Sequence, residues 1–299
     1  MQDKSDAARA PFAETARAKV NLFLHIRGQR PEGYHTLDSF VVFPGLGDRV
    51  EAAHGTGLSL SVSGPFGDGL GTGLDNLTLA AAAALSDRIA TRPGAALRLE
   101  KNLPVAAGIG GGSADAGAAL RLLARMWDDV PHGDLDDIAF ALGADAPMCL
   151  AQRPAIIGGV GERLAPPPAF PGFWLVMINP MQPLSTAEVF GALTERNNPA
   201  GPPPPARFLD LGHLTSWLST CRNDLEAPAR ALRPVIAQCL SALSWHRDCR
   251  FARMSGSGAT CFGMFATEQE ALGAAQEIRV NEPGWWVAAA PVDEWNGPE

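Results

Sequence analysis

Residues 104–117 read Pro-Val-Ala-Ala-Gly-Ile-Gly-Gly-Gly-Ser-Ala-Asp-Ala-Gly. They constrain the chain more than any other stretch, because they join a strand pattern to a helix pattern through four glycines in five positions. Ahead of them, residues 95–100 (Ala-Ala-Leu-Arg-Leu-Glu) alternate as a half-buried strand does. Behind them, residues 118–127 put Ala119, Leu120, Leu122, Leu123 and Met126 on one helical face. Glycine tolerates positive φ and carries no Cβ, so successive backbone N–H groups at 108, 110, 111 and 112 can converge on an anion. Ser113 reads as the N-cap of the helix, whose unpaired first-turn N–H groups add to the same field. A plain strand-to-helix turn needs one or two glycines. The stretch is expected to cradle phosphate.

Such a ligand has to be held locally. The formal net charge is −8, so no overall basic field exists to attract nucleic acid or an anionic membrane, and neither is expected as a partner. With 299 residues, 46% of them hydrophobic and 19% charged, the chain can build two medium domains with proper cores. Prolines at 166, 167, 168 and 171 mark a change of composition, and the domains are expected at 1–165 and 166–299. Cysteines at 149, 221, 239, 249 and 261 are odd in number and form no C-x-x-C pair, which fits a reducing, cytoplasmic location. Residues 1–13 read as a polar tail without the basic start and apolar core of a signal peptide. No run of 18 apolar residues suggests a membrane span.

The periodicities give a mostly β first half: strands at 16–26, 37–43, 49–53 and 58–62, and a helix at 76–89 opened by Asp75. In the first strand Lys19, Asn21, Phe23 and His25 share one face. A short helix at 135–142 leads to Gly143-Ala144-Asp145-Ala146-Pro147, where the proline is expected to end helical geometry and leave Asp145 on a turn. A strand at 155–157 follows. The second half alternates strand 173–178, a capping box from Ser185 to Glu188, and a stiff proline spacer at 199–205. Helices at 207–218 and 225–243 come next, then strands 251–254 and 260–265 around Ser255-Gly-Ser-Gly-Ala259, a helix at 268–278 and a strand at 286–290.

Taken singly, the polar candidates are ambiguous. Lys19 is one of three lysines, and a lysine in a strand is commonly a solvated edge residue. Asp145 would serve as a turn former, Tyr34, the only tyrosine, as a core or loop aromatic, and His35 as a surface histidine. No lysine follows a glycine, which excludes the G-x-x-x-x-G-K-[ST] loop, and no G-x-G-x-x-G occurs. His246-Arg247-Asp248 imitates a protein-kinase catalytic loop, but Arg253 stands where that loop needs asparagine.

Together, Lys19-Val-Asn21-Leu, Pro104-x-x-x-Gly108-Ile-Gly-Gly-Gly-Ser113 and Ser255-Gly-Ser-Gly-Ala259 resemble the three motifs of the GHMP small-molecule kinases. Gly28-Gln-Arg-Pro-Glu-Gly-Tyr34-His35-Thr-Leu37, Leu142-Gly-Ala-Asp145-Ala-Pro147, Gly159-Val-Gly-Glu162 and Asn223-Asp224-Leu resemble the branch of that family that acts on cytidine diphosphate methylerythritol. The resemblance covers residues 17–265. It implies an α/β (α+β) fold of two domains, the N-terminal one like ribosomal protein S5 domain 2 and the C-terminal one ferredoxin-like, with the site between them. It implies ATP as phosphoryl donor, magnesium with it, transfer to a 2-hydroxyl in non-mevalonate isoprenoid synthesis, and a monomer or weak homodimer. Carried over by position, Lys19 and Asp145 become the catalytic pair. The ATP phosphate loop becomes Pro104, Val105, Ala106, Ala107, Gly108, Ile109, Gly110, Gly111, Gly112, Ser113 and Ala114. Asn21, Tyr34, His35, Thr186 and Phe190 become the substrate pocket. These residue types suit the chemistry: a carboxylate for the hydroxyl proton, a cation beside it and near the transferring phosphoryl, and an aromatic for cytosine. The metal ligands stay unassigned. One departure stands out: the family loop often reads Gly-Gly-Gly-Ser-Ser-Asn, whereas here Ala114-Asp115 follows Ser113, and Asp115 either faces away or helps hold magnesium. The alternatives are another GHMP kinase, of homoserine or mevalonate type, or a non-catalytic nucleotide or RNA binder.

Overall fold

The computed structural model describes residues 12–31, 33–130 and 133–297. In chain order the elements are β1 (Phe12–Arg17), β2 (Val20–Gln29), β3 (His35–Val42), β4 (Gly47–Gly55), β5 (Leu58–Ser63), α1 (Leu77–Ser86), β6 (Gly94–Glu100) and α2 (Gly111–Met126). There follow α3 (Asp134–Leu142), α4 (Ala146–Ala151), β7 (Ala155–Gly159), β8 (Arg163–Ala165), β9 (Phe173–Asn179), α5 (Thr186–Gly191) and α6 (Leu211–Leu218). The chain ends with α7 (Glu226–Leu232), α8 (Val235–Ser244), β10 (Phe251–Met254), β11 (Cys261–Phe265), α9 (Glu268–Asn281) and β12 (Trp286–Val292).

Three four-stranded sheets result, ordered β1-β4-β6-β5, β2-β3-β7-β8 and β10-β11-β9-β12. Among the described strand pairs β5 and β6 run parallel and the others antiparallel. The first sheet alternates clearly: β6 buries Ala95, Leu97 and Leu99 against α1 and α2 and turns Ala96, Arg98 and Glu100 outward. The second sheet is a partition. On β2, Leu24 and Ile26 join a core built from β9, β11, α7, α8 and α9, while Val20, Leu22 and Phe23 join another with β9, β11, β12 and α6. That two-sided burial is why β2 carries no solvated face.

The expected strand at 16–26 is therefore two strands in two sheets. The break lies at Ala18-Lys19, where the backbone leaves its ladder: Ala18 N–H bonds the Leu46 carbonyl and Lys19 N–H bonds the Ile109 carbonyl, each at 2.9 Å. Of the expected tail, residues 1–11 lie outside the described part, and Phe12 and Ala13 already pair with Ala52 and Glu51. Asn76 caps α1 in place of Asp75, its Oδ1 accepting from Thr78 N–H at 3.0 Å. Pro147 opens a helix instead of closing one, because a first-turn residue needs no N–H. The expected helix at 225–243 is split at Arg233-Pro234, where proline has no N–H to give the preceding turn. The proline stretch 199–205 is fastened over β2: Trp217 Nε1 donates to the Pro203 carbonyl and Arg222 to that of Pro199, both at 3.2 Å. Among the described residues no helix is long and apolar enough to cross a membrane, and the five cysteines are free.

Candidate active site

The glycine stretch becomes a strand-to-helix turn between β6 and α2. Gly108 (φ 73°) and Gly110 (φ 66°) take left-handed conformations that a side chain rarely accepts. At Gly108 the neighbours also exclude a Cβ, which would lie 2.4 Å from the Gly258 carbonyl oxygen; at Gly110 it would press on Lys19 Cβ at 3.3 Å. The first turn of α2 begins earlier than expected. Gly110 is the N-cap, the first helical bond is Ala114 N–H to the Gly110 carbonyl at 2.8 Å, and Ser113 lies inside the first turn. The N–H groups of Gly111, Gly112 and Ser113 thus precede the helical ladder at the positive end of the dipole.

Two strangers in sequence hold this turn in place. Lys19, bonded through its N–H to Ile109, lays its stem along Gly110. The loop Ser255-Gly-Ser-Gly-Ala259 backs the other side, with Ser255 Oγ donating to the Gly108 carbonyl at 3.3 Å and Thr260 N–H to that of Ala107 at 3.2 Å. The Lys19 ammonium then reaches Asp145, the N-cap residue of α4, with Nζ to Oδ2 at 2.9 Å. Lysine is buried, 6% exposed, whereas the aspartate is 41% exposed and faces an open cavity.

That cavity, about 630 Å³, is lined by the loop residues 106–108 and 110–113 together with Lys19, Asn21, Tyr34, His35, Asp145, Thr186 and Phe190. His35 stacks on Phe190 at 4.8 Å between centroids, and burial, helped by nearby Arg196, lowers its pKa. Tyr34 stands beside it, 65% exposed. Asn21 is fixed by donating to Ser39 Oγ at 2.8 Å, which leaves its buried Oδ1 without a partner at the cavity wall. The Nδ1 of His35 is likewise unpartnered.

The other expected loop residues sit elsewhere. Ile109 and Ala114 are buried in cores, and Pro104 and Val105, with Ala106, line a second cavity of about 330 Å³ beside Phe66 and Met181. Residues that no single-site reading had named also reach the main cavity: Ser257, whose Oγ lies 2.8 Å from Thr186 Oγ, Gly256, and the apolar Leu37, Leu77 and Leu225. The signal for Ser257 existed, in the Ser255–Ala259 motif; the leucines are indistinguishable from core in sequence. Asp115 faces away from the cavity, 2% exposed and bonded to Lys101.

The GHMP kinases N terminal domain matches residues 76–153, and the GHMP kinases C terminal domain matches residues 209–281. Over 277 residues the chain is 53% identical to the 4-diphosphocytidyl-2-C-methyl-D-erythritol kinase of Paracoccus denitrificans, covering 93% of this chain and 95% of that one. It is 51% identical over 276 residues to the enzyme of that name from Cereibacter sphaeroides, covering 92% and 97%. The chain belongs to the GHMP kinases, in their 4-diphosphocytidyl-2-C-methyl-D-erythritol kinase branch.

A crystal structure of 4-(cytidine 5'-diphospho)-2C-methyl-D-erythritol kinase superposes on this GHMP kinase with a TM-score of 0.74 at 31% identity, covering 93% of this chain and 98% of that one. Homoserine kinase from Cytophaga hutchinsonii superposes with a TM-score of 0.69 at 15% identity, covering 99% of each chain. That likeness shows the shared GHMP fold alone. ATP as phosphoryl donor comes with the family, and the glycine turn fits it with three N–H groups ahead of the helical ladder. Among the described residues no group of three or more His, Cys, Asp or Glu side chains could hold a metal ion.

Proposed function

We propose that this GHMP kinase transfers the γ-phosphoryl group of ATP to the 2-hydroxyl of 4-diphosphocytidyl-2-C-methyl-D-erythritol, a step of non-mevalonate isoprenoid synthesis. The observation that carries the reading is the Lys19–Asp145 contact of 2.9 Å, in one cavity with the glycine turn and the aromatic side chains Tyr34, His35 and Phe190. Residues 104–114 form the phosphate loop, with direct contacts from 106–108 and 110–113. The phosphates take the N–H groups of Gly111, Gly112 and Ser113, which places the γ-phosphorus toward Lys19.

The acceptor enters the same cavity. Its cytosine packs with Tyr34, His35 and Phe190, and Asn21 lines the cavity with them. Thr186, fixed by Ser257, faces the same ligand. The acceptor oxygen attacks γ-phosphorus, the bond from γ-phosphorus to the bridging oxygen breaks, ADP leaves with that electron pair, and Asp145 takes the hydroxyl proton. Lys19 offsets the negative charge spread over the transferring group. Magnesium bound with the nucleotide would offset charge on the phosphate oxygens; among the described residues no group of three or more His, Cys, Asp or Glu side chains could cage it, so phosphate oxygens and water would be its main ligands. The two domains, 1–165 and 166–299, meet at this cavity, and the enzyme works as a monomer or weak homodimer in the cytoplasm.

A panel of acceptors tests the assignment. ADP release should require the cytidyl substrate and should be at background with homoserine or mevalonate. Turnover of either of those at a comparable kcat/KM would move the chain to another branch, and tight RNA binding without ATP turnover would remove it from catalysis.

A further inference from the structure

Beneath the glycine turn lies a charged cluster that the chemistry above leaves unused. The Lys101 ammonium, just after β6, bonds Asp115 Oδ2 at 2.7 Å and also contacts Asp48 Oδ2. The other oxygen of Asp48 accepts the N–H groups of Asn102 at 2.6 Å and Leu103 at 2.8 Å, the two residues ahead of Pro104. All three charged side chains are buried. A Cβ on Gly111 would lie 3.4 Å from Lys101 Nζ and 3.8 Å from Asp48 Oδ2. The cluster is therefore the inner surface of the turn whose outer surface lines the cavity.

Two carboxylates around one ammonium leave one negative charge in excess, and the carboxylates are not equivalent. Asp48 accepts three hydrogen bonds. Asp115 accepts one, and its Oδ1 is buried without a partner. An ionised oxygen so placed is costly, and a proton removes most of that cost. Burial is the largest influence on Asp115 and pushes its pKa up to about 8; Lys101 opposes the rise and Asp48 adds to it. For Lys101, burial works downward and the two aspartates more than offset it. From α4, Cys149 is the other titratable neighbour, and burial raises its pKa far enough to keep the thiol neutral.

We propose that Asp115 takes up a proton from solvent when phosphates bind the glycine turn, so that the Asp48–Lys101–Asp115 cluster is electrically neutral beneath them. This rests on the reading of residues 104–114 as the phosphate loop. Phosphate charge above the turn favours whichever state of the cluster is less negative, and by reciprocity a proton on Asp115 favours the phosphates. The residue that departs from the family's Gly-Gly-Gly-Ser-Ser-Asn pattern thereby gains a role: it links nucleotide affinity to pH.

Calorimetry of ADP binding to the full chain at pH 8, in two buffers of different ionisation enthalpy, measures the protons taken up. Wild type should absorb a clear fraction of a proton per ADP, and its Kd should weaken about three- to tenfold from pH 7.5 to 9, a range above the titration of the phosphates themselves. Asp115→Asn keeps an acceptor for Lys101 and leaves the Lys101–Asp48 pair balanced. It should absorb no proton and hold a nearly constant Kd, matching or bettering wild type at pH 9, which loss of a purely structural contact would not produce. Equal uptake and equal pH dependence in wild type and Asp115→Asn would overturn the proposal. So would absence of uptake by wild type, a result that does not depend on the variant folding. Failure of wild type to bind ADP at all would instead remove the phosphate-loop reading, and this proposal with it.

Discussion

Lys19 and Asp145 are 126 residues apart in the chain and 2.9 Å apart in space. Asp145→Asn preserves size but cannot take a proton, so kcat should fall on the order of 10²- to 10⁴-fold with both ligands still bound. Lys19→Ala should cost a similar factor, and the double variant should be little worse than either, because the two groups act as a unit. An Asp145→Asn enzyme within threefold of wild-type kcat would deny the residue its role. A second residue-scale expectation concerns His25, fully buried on β2, whose Nε2 accepts the Arg222 N–H at 2.8 Å. Burial, then the nearby Arg222, lowers its pKa from 6.5 to about 4. Between these values the unfolded chain binds more protons than the folded one, so stability present above pH 6.5 is lost as pH falls toward 4. His25→Gln should flatten that limb of the melting-temperature profile; an unchanged limb would place the acid sensitivity elsewhere. In sequence both Lys19 and His25 looked like members of one polar face. The structure separates them because the β2–β3 register shifts between Asn21 and Phe23, so that Phe23 joins Val20 and Leu22 on one face and His25 packs beside it, 4.8 Å between ring centroids, a bulge that no local pattern encodes.

The strand, glycine turn and helix from β6 to α2 were the most legible element, because a period of two gives way to a helical face across an unmistakable break. Which glycine matters for what was not legible. A Cβ at Gly108 would meet the Gly258 backbone at 2.4 Å, so a substitution there disturbs the fold as well as the ligand, and one at Gly111 would stand against the Lys101 ammonium at 3.4 Å. Gly112 is different: it is exposed, and a Cβ there would meet only Leu77 Cδ1 at 3.6 Å. Gly112→Val should therefore leave the melting temperature within about a degree and raise KM for ATP roughly 10- to 100-fold, the worth of one or two charge-assisted N–H bonds. A normal KM for ATP in a well-folded Gly112→Val protein would argue against phosphate on this turn. In the same cavity, Tyr34→Ala or His35→Ala should raise KM for the cytidyl substrate and spare that for ATP; equal effects on both would point to a role in folding. Boundaries failed where prolines had two meanings. Pro147 begins α4 and Pro234 separates α7 from α8, and only tertiary packing decides between the two uses.

At the scale of the whole molecule, the two halves share cores that run through β2. Arg253 makes the clearest tie: buried on β10, it donates to the carbonyls of Leu22 at 3.0 Å, Leu218 at 3.1 Å and Cys221 at 2.8 Å. Arg253→Met would strand those carbonyls and should destabilise by on the order of 3 kcal/mol, read as a loss of several degrees in Tm. A variant as stable as wild type would show that the tie is dispensable. The two-part α+β organisation was legible in the sequence, but this shared packing was not, since long-range contacts leave no periodic trace. A cavity that joins ATP to one defined hydroxyl leaves its mark on the product of a single incubation. Carbon 2 of the methylerythritol bears the methyl group and no hydrogen. A proton-coupled phosphorus NMR spectrum after reaction with ATP and the cytidyl substrate should show one new monoester signal without coupling to a carbinol proton. A doublet or triplet, marking phosphate on a carbon that carries hydrogen, or no new ester at all, would contradict the account.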